Sequence, residues 1–316
     1  MNPLWDSKIT VLGLGGVGGY IGALLADTYP HVSFIARGNR RKSIMQKGLV
    51  LHSDYRGERI VRPEQTVENA KDLPVQDYIF ICVKNYSLEE ACHSLDSCVS
   101  KDTVLIPVMN GADPGERVRR YLPQATVVDS LIYIVAFAGS DYAVTQQDKF
   151  ANLYVGIQNA GWKDWKICCN VTDLLNGAGI DCTASRDIQA EIWKKYILNC
   201  AYNVETAYYN NSIGQLREDP VKAAIYEALV EEAWQVALSK GIHVEKKDKD
   251  AIIDRFYHKL QYDATSSLQR DVNAGHPTEL ETFSGYIVRE AKKAGVNVPV
   301  SNEMYEKLKE KCHVSC

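Results

Sequence analysis

The chain has 316 residues, long enough for two domains that each bury a core, which excludes a single small stapled module. Hydrophobic residues make up 46% and charged residues 24%, ordinary usage for a folded globular protein, so neither disorder nor a fibrous repeat fits. Lys plus Arg number 36 against 40 Asp plus Glu, and a formal net charge of −4 offers no broad positive field to gather a phosphate backbone; no nucleic-acid partner is expected.

The first notable stretch, Ile9 to Ala26, runs for 18 residues without a charge and has the length of a membrane span or targeting segment. Six of those residues are glycine, each costing ~1 kcal/mol in a helix, and Gly13, Gly15 and Gly18 stand in a patterned order. The expectation is a nucleotide loop, with no membrane contact and a cytoplasmic location. The apolar runs Ile9–Leu14, Val32–Ala36, Tyr78–Val83 and Val104–Val108 are nearly continuous, as in parallel strands covered on both faces. Between Gly48 and Val61 two short strands around Ser53-Asp54-Tyr55-Arg56-Gly57 read as an edge hairpin inserted in the βα series. Thr126–Ala138 and Leu153–Ile157 read as further strands, with a turn at Gly139-Ser140-Asp141. This order predicts a Rossmann-type doubly wound parallel sheet over residues 1–186.

After Asp187 helical periods take over, at Ile188–Tyr208, Val221–Lys240, Lys247–Tyr262, Glu279–Ala294 and Asn302–Lys311. Residues 187–316 are therefore expected to form an all-helical domain, with Gly241, Gly275 and Gly295 at helix ends, and the fold class is α/β plus all-α. The nine cysteines show neither zinc spacing nor a disulfide framework and read as reduced thiols. The seven histidines form no H-E-x-x-H or comparable pattern, so no metal is expected.

Gly13-Leu14-Gly15-Gly16-Val17-Gly18 follows a strand and opens a helix, the context a dinucleotide fingerprint requires. At the end of the second strand, where an NAD site places an acid for the ribose, the chain reads Ile35-Ala36-Arg37-Gly38-Asn39-Arg40-Arg41. No acid is present, and Asp27 lies on the first helix, misplaced for the ribose. Arg37 offers a planar fork to a 2′-phosphate, and NADP(H) is preferred over NAD(H). Arg40 and Arg41 either join it or form a solvated helix face. Lys84, at the end of the strand Tyr78–Val83, is a second cation for the same phosphate.

In the segment Trp193 to Asn203, Lys195, Asn199 and Asn203 fall at i, i+4 and i+8 on one stripe. Ile192, Trp193, Tyr196, Ile197 and Leu198 surround that stripe, so the helix is expected to be buried, and its polar groups need partners such as a polar substrate. Lys194 points about 100° away and is expected to be solvated. Cys200 has no activating histidine nearby and reads as packing, while His276, before Pro277, reads as structural.

Across nearly its whole length the chain resembles the ketopantoate reductase (2-dehydropantoate 2-reductase) family. The resemblance rests on the Gly13–Gly18 loop, Arg37, Val83-Lys84, Asn110-Gly111, the Trp193-x-Lys195-x-x-x-Asn199-x-x-x-Asn203 helix, and Ser266-Ser267 followed by Asp271 and Thr278-Glu279. It implies that Lys195 is the general acid and that Asn199 and Asn203 hold the substrate. It also implies that Ser267 and Asn110 contact substrate or the nicotinamide end, that Arg37 and Lys84 hold the 2′-phosphate, and that Glu279 lies near the cofactor as a catalytic and cofactor-binding residue. Two departures bear on the substrate. Met109 stands where the family often has Gln, and Val204-Glu205 replaces a more apolar pair after Asn203; Glu205 either alters what fits beside Asn203 or points to solvent. The implied activity is NADPH-dependent reduction of 2-dehydropantoate to pantoate, on the route to pantothenate and coenzyme A. Its partner is a small keto acid, and a homodimer is left open. The rivals are the same chemistry on another small 2-keto acid and, from a different class, a non-catalytic NADP(H)-binding redox sensor.

Overall fold

Runs apolar on both faces can form strands only where both faces are covered. In the computed structural model, which describes residues 4–313, they are. The chain divides into two units, Met1–Ile188 and Gln189–Cys316. In the first, β1 (Ile9–Leu12) leads through the glycine loop into α1 (Gly16–Thr28), and β2 (Val32–Ile35) leads into α2 (Gly38–Lys47). A hairpin of β3 (Leu49–Ser53) and β4 (Arg59–Val61) precedes β5 (Gln65–Val67) and β6 (Tyr78–Ile81). Then come α3 (Leu88–Leu95), β7 (Val104–Pro107), α4 (Pro114–Tyr121) and β8 (Thr126–Val127). Six of these strands form one parallel sheet in the order β5-β2-β1-β6-β7-β8, and every residue of β1, β2, β6 and β7 is buried. Strand order reverses between β1 and β6, the switch point where doubly wound sheets receive ligands.

The hairpin is not an edge insertion in that sheet. It belongs to a second sheet, completed by β9 (Asp129–Ala138), β10 (Val144–Gly156) and, after α5 (Trp162–Gly177), β11 (Cys182–Ala184). β10 pairs with β9 antiparallel and with β3 and β11 parallel. It is 13 residues long, where only Leu153–Ile157 reads as strand in the sequence, because its exposed middle carries the polar run Gln147-Asp148-Lys149 and gives no apolar signal.

Between these sheets lies α1, in contact with β1 and β2 of one and β3, β4, β9 and β10 of the other. Eight consecutive residues, Gly18 to Leu25, are buried. A helix enclosed on all sides is apolar on all sides, which accounts for the long uncharged run without any membrane. Among the described residues no helix is long and apolar enough to cross one. Asp27, at the far end of α1, pairs with Arg59 of β4 at 3.1 Å and is remote in role from any ribose.

The second unit contains only helices among its described residues: α6 (Ile188–Tyr209), α7 (Ile213–Glu218), α8 (Pro220–Ser239), α9 (Lys246–His258), α10 (Ser267–Asn273), α11 (Tyr286–Ala294) and α12 (Pro299–His313). Gly241, Gly275 and Gly295 follow helices with φ of 71°, 64° and 70°, left-handed positions that favour glycine. The expected helix over Glu279–Ala294 instead contains a π-turn at Glu281–Gly285 before α11. Its carbonyls are met from α6: the Tyr196 hydroxyl donates toward Thr282 O at 2.6 Å and Phe283 O at 3.0 Å. Tyr196 packs edge-on against both Trp193 and Tyr286 in this seam, and the three ring centroids lie 5.3 to 6.2 Å apart.

A Cβ on Gly18 would lie 2.0 Å from the Gly13 carbonyl oxygen and 2.7 Å from the Cys82 Cβ. Gly18→Ala is expected to destabilise the protein by about 3 kcal/mol, the upper range of overpacking, read as a lowered urea midpoint at unchanged slope.

Candidate functional site

The glycine loop divides its residues by role. Gly13 has φ +89°, and a Cβ there would sit 2.7 Å from the Cys82 carbonyl oxygen. At Gly16 it would sit 2.3 Å from the Ala136 carbonyl oxygen, so this glycine admits β9, and Val17 packs against the core. Gly15 is different: a Cβ would meet none of the described residues within 4 Å. It is also the N-cap of α1, with no side-chain cap and no acid in the first turn. Open space before the N–H groups of a helix N-terminus suits an anion, and these residues fit a dinucleotide pyrophosphate.

Beside the loop, at the carboxyl ends of β1, β2 and β6, is a cavity of about 240 Å³. Leu12, Leu14, Ile35, Ala36, Val83 and Ala91 give it apolar walls, and Gly13, Arg37, Arg40, Ser87 and Glu90 complete the lining. Arg37 is exposed and donates from Nη1 to Glu90 Oε1 at 2.8 Å. Arg40 is neither a solvated residue nor an open fork. Its guanidinium binds the carbonyls of Leu14 and Tyr142, and burial lowers its pKa. Arg41 is likewise engaged, donating from Nε to Thr66 O at 3.1 Å. Lys84 follows β6, half-buried, and does not line this cavity.

Asn110 follows β7 on a loop that turns at Gly111, with φ +112°. Sequence reasoning missed its brace: Asn85 Nδ2 donates to Asn110 O at 2.8 Å, and Arg117 donates to Asn85 Oδ1 and O at 3.2 and 3.0 Å. The only sequence signal is the adjacency of Asn85 to Lys84. Met109 is buried in the apolar cluster with Ile81 and Leu105, so this departure is a packing residue.

In the second unit α6 carries Lys195 and Asn199, half-buried, and Asn203, buried. Asn203 Oδ1 accepts from Ser267 Oγ at 3.2 Å and from Leu268 N at 3.4 Å. The neighbouring Ser266 caps α10 and meets Thr206 Oγ1 at 2.7 Å, which sets Ser267 beside α6. Glu279 is buried within the field of Lys195. Burial pushes the Lys195 ammonium down to about 8, against the opposing pull of the Glu279 carboxylate. The structure thus brings Lys195 to Glu279 and Asn203 to Ser267. Lys194 corrects its expectation: it is half-buried, paired with Glu191 at 3.1 Å and Asp248 at 3.4 Å, and ties α6 to α9. Cys200 is buried against Phe283 O at 3.7 Å, with its thiol pKa pushed up by burial, as suits packing. His276 is exposed in the turn after α10. Among the described residues no group of three His, Cys, Asp or Glu is placed to hold a metal ion.

Glu205 does not point to solvent. It is fully buried, and among the described residues neither carboxyl oxygen has a hydrogen-bond partner. Two residues beyond Asn203, it faces about 200° around the helix from that amide. There it lies in the field of Lys222 and Tyr226 of α8.

A glycine loop at the switch point of a parallel sheet, followed by a helical domain with a lysine and amides on a buried helix, defines a Rossmann-type dinucleotide-binding protein with an appended helical domain. Comparison with known proteins narrows this. The family description "Ketopantoate reductase PanE/ApbA" matches residues 9–159, and "Ketopantoate reductase PanE/ApbA C terminal" matches residues 187–312. An uncharacterized oxidoreductase, YkpB of Bacillus subtilis (strain 168), is 25% identical over 301 residues, covering 95% of this chain and 97% of its own. The crystal structure of 2-dehydropantoate 2-reductase from Porphyromonas gingivalis W83 is 29% identical with a TM-score of 0.80, covering 96% of this chain and 99% of its own. The ternary structure of D-mandelate dehydrogenase with NADH and anilino(oxo)acetate shares the fold at 20% identity, with a TM-score of 0.85 and coverage of 98% and 99%. The chain belongs to the ketopantoate reductase family, NAD(P)-dependent oxidoreductases that act on small keto acids.

Glu205 makes the stability of the second unit depend on pH. Burial raises its pKa from the ordinary 4.5 to about 9, with Lys222 pulling down and Asp219 pushing up. A raised folded pKa means that the folded state holds the proton, so this contribution to stability is complete below the unfolded pKa and is lost as pH rises through about 9. Over that window the group should cost up to about 1.4 kcal/mol per pH unit. Glu205→Gln is expected to remove this dependence. The difference in urea midpoint between variant and wild type should therefore widen in favour of the variant from pH 5 to 9, and a constant difference would refute a buried, proton-holding carboxyl.

Proposed function

We propose that the protein reduces 2-dehydropantoate to pantoate with NADPH, the first unit holding the dinucleotide and the second the keto acid. The observation that carries this reading is Lys195, a half-buried lysine on the polar stripe of α6 whose pKa lies close to the working pH of a proton donor. Gly15, Gly16 and the α1 N-terminus would hold the pyrophosphate, with Arg37 and Lys84 at the 2′-phosphate and Asn110 at the nicotinamide end. Bound NADPH supplies the hydride for the C2 carbonyl. Lys195 stabilises the negative charge that develops on the keto oxygen and delivers a proton to it. Glu279 favours the ammonium form of Lys195 and so keeps that proton available. Asn199, Asn203 and Ser267 orient the acid by hydrogen bonds.

A second reading keeps the chemistry and changes the keto acid, since the same fold serves D-mandelate dehydrogenase. Of the two departures that favoured it, Met109 packs in the apolar core, and Glu205 is buried about 200° around α6 from Asn203. Oxidation of NADPH across a panel of 2-keto acids decides the matter: a substrate better than 2-dehydropantoate by more than ~10-fold in kcat/KM overturns the assignment. Coenzyme binding without turnover on any keto acid would favour the redox sensor.

Lys195→Ala is expected to lower kcat by roughly 10²–10⁴-fold with NADPH affinity largely kept. In the wild type kcat/KM should fall as pH rises through about 8, where Lys195 loses its proton, and this break should vanish in the variant. Lys194→Ala should keep kcat and lower stability, because it removes the partner of Glu191 and Asp248. A loss of kcat in Lys194→Ala matching that in Lys195→Ala would remove the specific role of Lys195.

Arg37→Ala is expected to raise the KM for NADPH and leave that for NADH nearly unchanged, because only the 2′-phosphate loses a charge-assisted pair. Equal weakening of both coenzymes would assign Arg37 to the fold.

A further inference from the structure

The cavity beside the glycine loop holds a carboxylate, Glu90, that the NADP(H) reading does not use. Arg37 and Glu90 line it together, joined at 2.8 Å. The second strand ends without an acid, but the fold supplies one from elsewhere: Glu90 stands in the first turn of α3, 53 positions from Arg37 in the chain. The other guanidinium in the lining, Arg40, is committed to the carbonyls of Leu14 and Tyr142. A 2′-phosphate at Arg37 therefore meets a carboxylate already bound there. Both side chains are well exposed, 62% and 71%, and exposed pairs contribute little to stability, so the pair is readily exchanged for a ligand.

We propose that Glu90 is a coenzyme-discriminating residue: its carboxylate opposes a 2′-phosphate at Arg37 and accepts a hydrogen bond from the ribose 2′-hydroxyl of NADH, so the enzyme accepts both coenzymes. This rests on reading the first unit as the site of a nicotinamide dinucleotide with its adenosine ribose at Arg37. A carboxylate is an acceptor only, suited to a hydroxyl and repelled by a phosphate. Glu90→Gln keeps the shape, removes the charge and frees Arg37.

The test measures kcat/KM and, by fluorescence titration, Kd for NADPH and NADH in the wild type, Glu90→Gln, Glu89→Gln, Arg37→Ala and the Arg37→Ala/Glu90→Gln double variant. Glu89 adjoins Glu90 on α3 and does not line the cavity, so its variant controls for net charge. Glu90→Gln is expected to shift the NADPH/NADH ratio of kcat/KM by ~10-fold toward NADPH, with tighter NADPH and weaker NADH, while Glu89→Gln stays within about twofold. In the Arg37→Ala background Glu90→Gln should still weaken NADH. A ratio unmoved in Glu90→Gln, or moved equally by Glu89→Gln, overturns the proposal. So does an unchanged NADH Kd in the double variant relative to Arg37→Ala, since Glu90 would then act only through Arg37. Equal weakening of both coenzymes by Arg37→Ala, with Glu90→Gln moving neither, marks failure of the underlying site reading instead.

Discussion

The dinucleotide end of this protein depends on the burial of α1 between two sheets. A helix covered by a parallel sheet on one side and by β3, β4, β9 and β10 on the other has no solvated face, so its residues are apolar or small all round. The same enclosure sets the glycines at its start. Gly16 admits the backbone of β9 and Gly18 admits that of Gly13, which leaves Gly15 facing open space. A helix pinned so closely delivers its uncapped N-terminus to a fixed place, and a fixed array of N–H groups costs little reorganisation when an anion arrives.

In the second unit α6 is subject to a related constraint. It is buried like a core helix but carries an ammonium and two amides along one stripe, groups whose burial is unfavourable unless they are paired. The aromatic seam of Trp193, Tyr196 and Tyr286 and the π-turn that Tyr196 satisfies hold the helix while the stripe keeps its polar character. Removal from water draws the Lys195 pKa down, and Glu279 limits the fall. The buried Glu205, on another face of the same helix, has no hydrogen-bond partner among the described residues, and its raised pKa is the alternative outcome of the same physics.

Arginines separate most clearly into what residue type can and cannot reveal. Arg37, Arg40 and Arg41 look alike as a cluster, and all three suit a phosphate. In the fold Arg40 and Arg41 bind carbonyls of Leu14, Tyr142 and Thr66, while Arg37 faces the cavity with Glu90. A guanidinium next to unpaired carbonyls binds them, and which carbonyls are near is a matter of chain crossing. Lys194 shows the same limit: its helical angle places it off the stripe of Lys195, yet the arrival of α9 turns a solvated position into a paired one.

The parallel sheet, the helical second domain, the glycine loop and the stripe of Lys195, Asn199 and Asn203 are all legible in the bare chain. They are written in local periodicity, because continuous apolar runs, three- to four-residue spacing and glycine at helix ends act within a few residues of one another. Long-range packing alone makes β3 and β4 join a second sheet, starts β10 at Val144, encloses Glu205 and brings an acid to Arg37. Each of these depends on a partner distant in the chain. A polar strand such as the first half of β10 or a lone carboxyl such as Glu90 carries no local signal of the surface it will meet, and its energy is set by that surface.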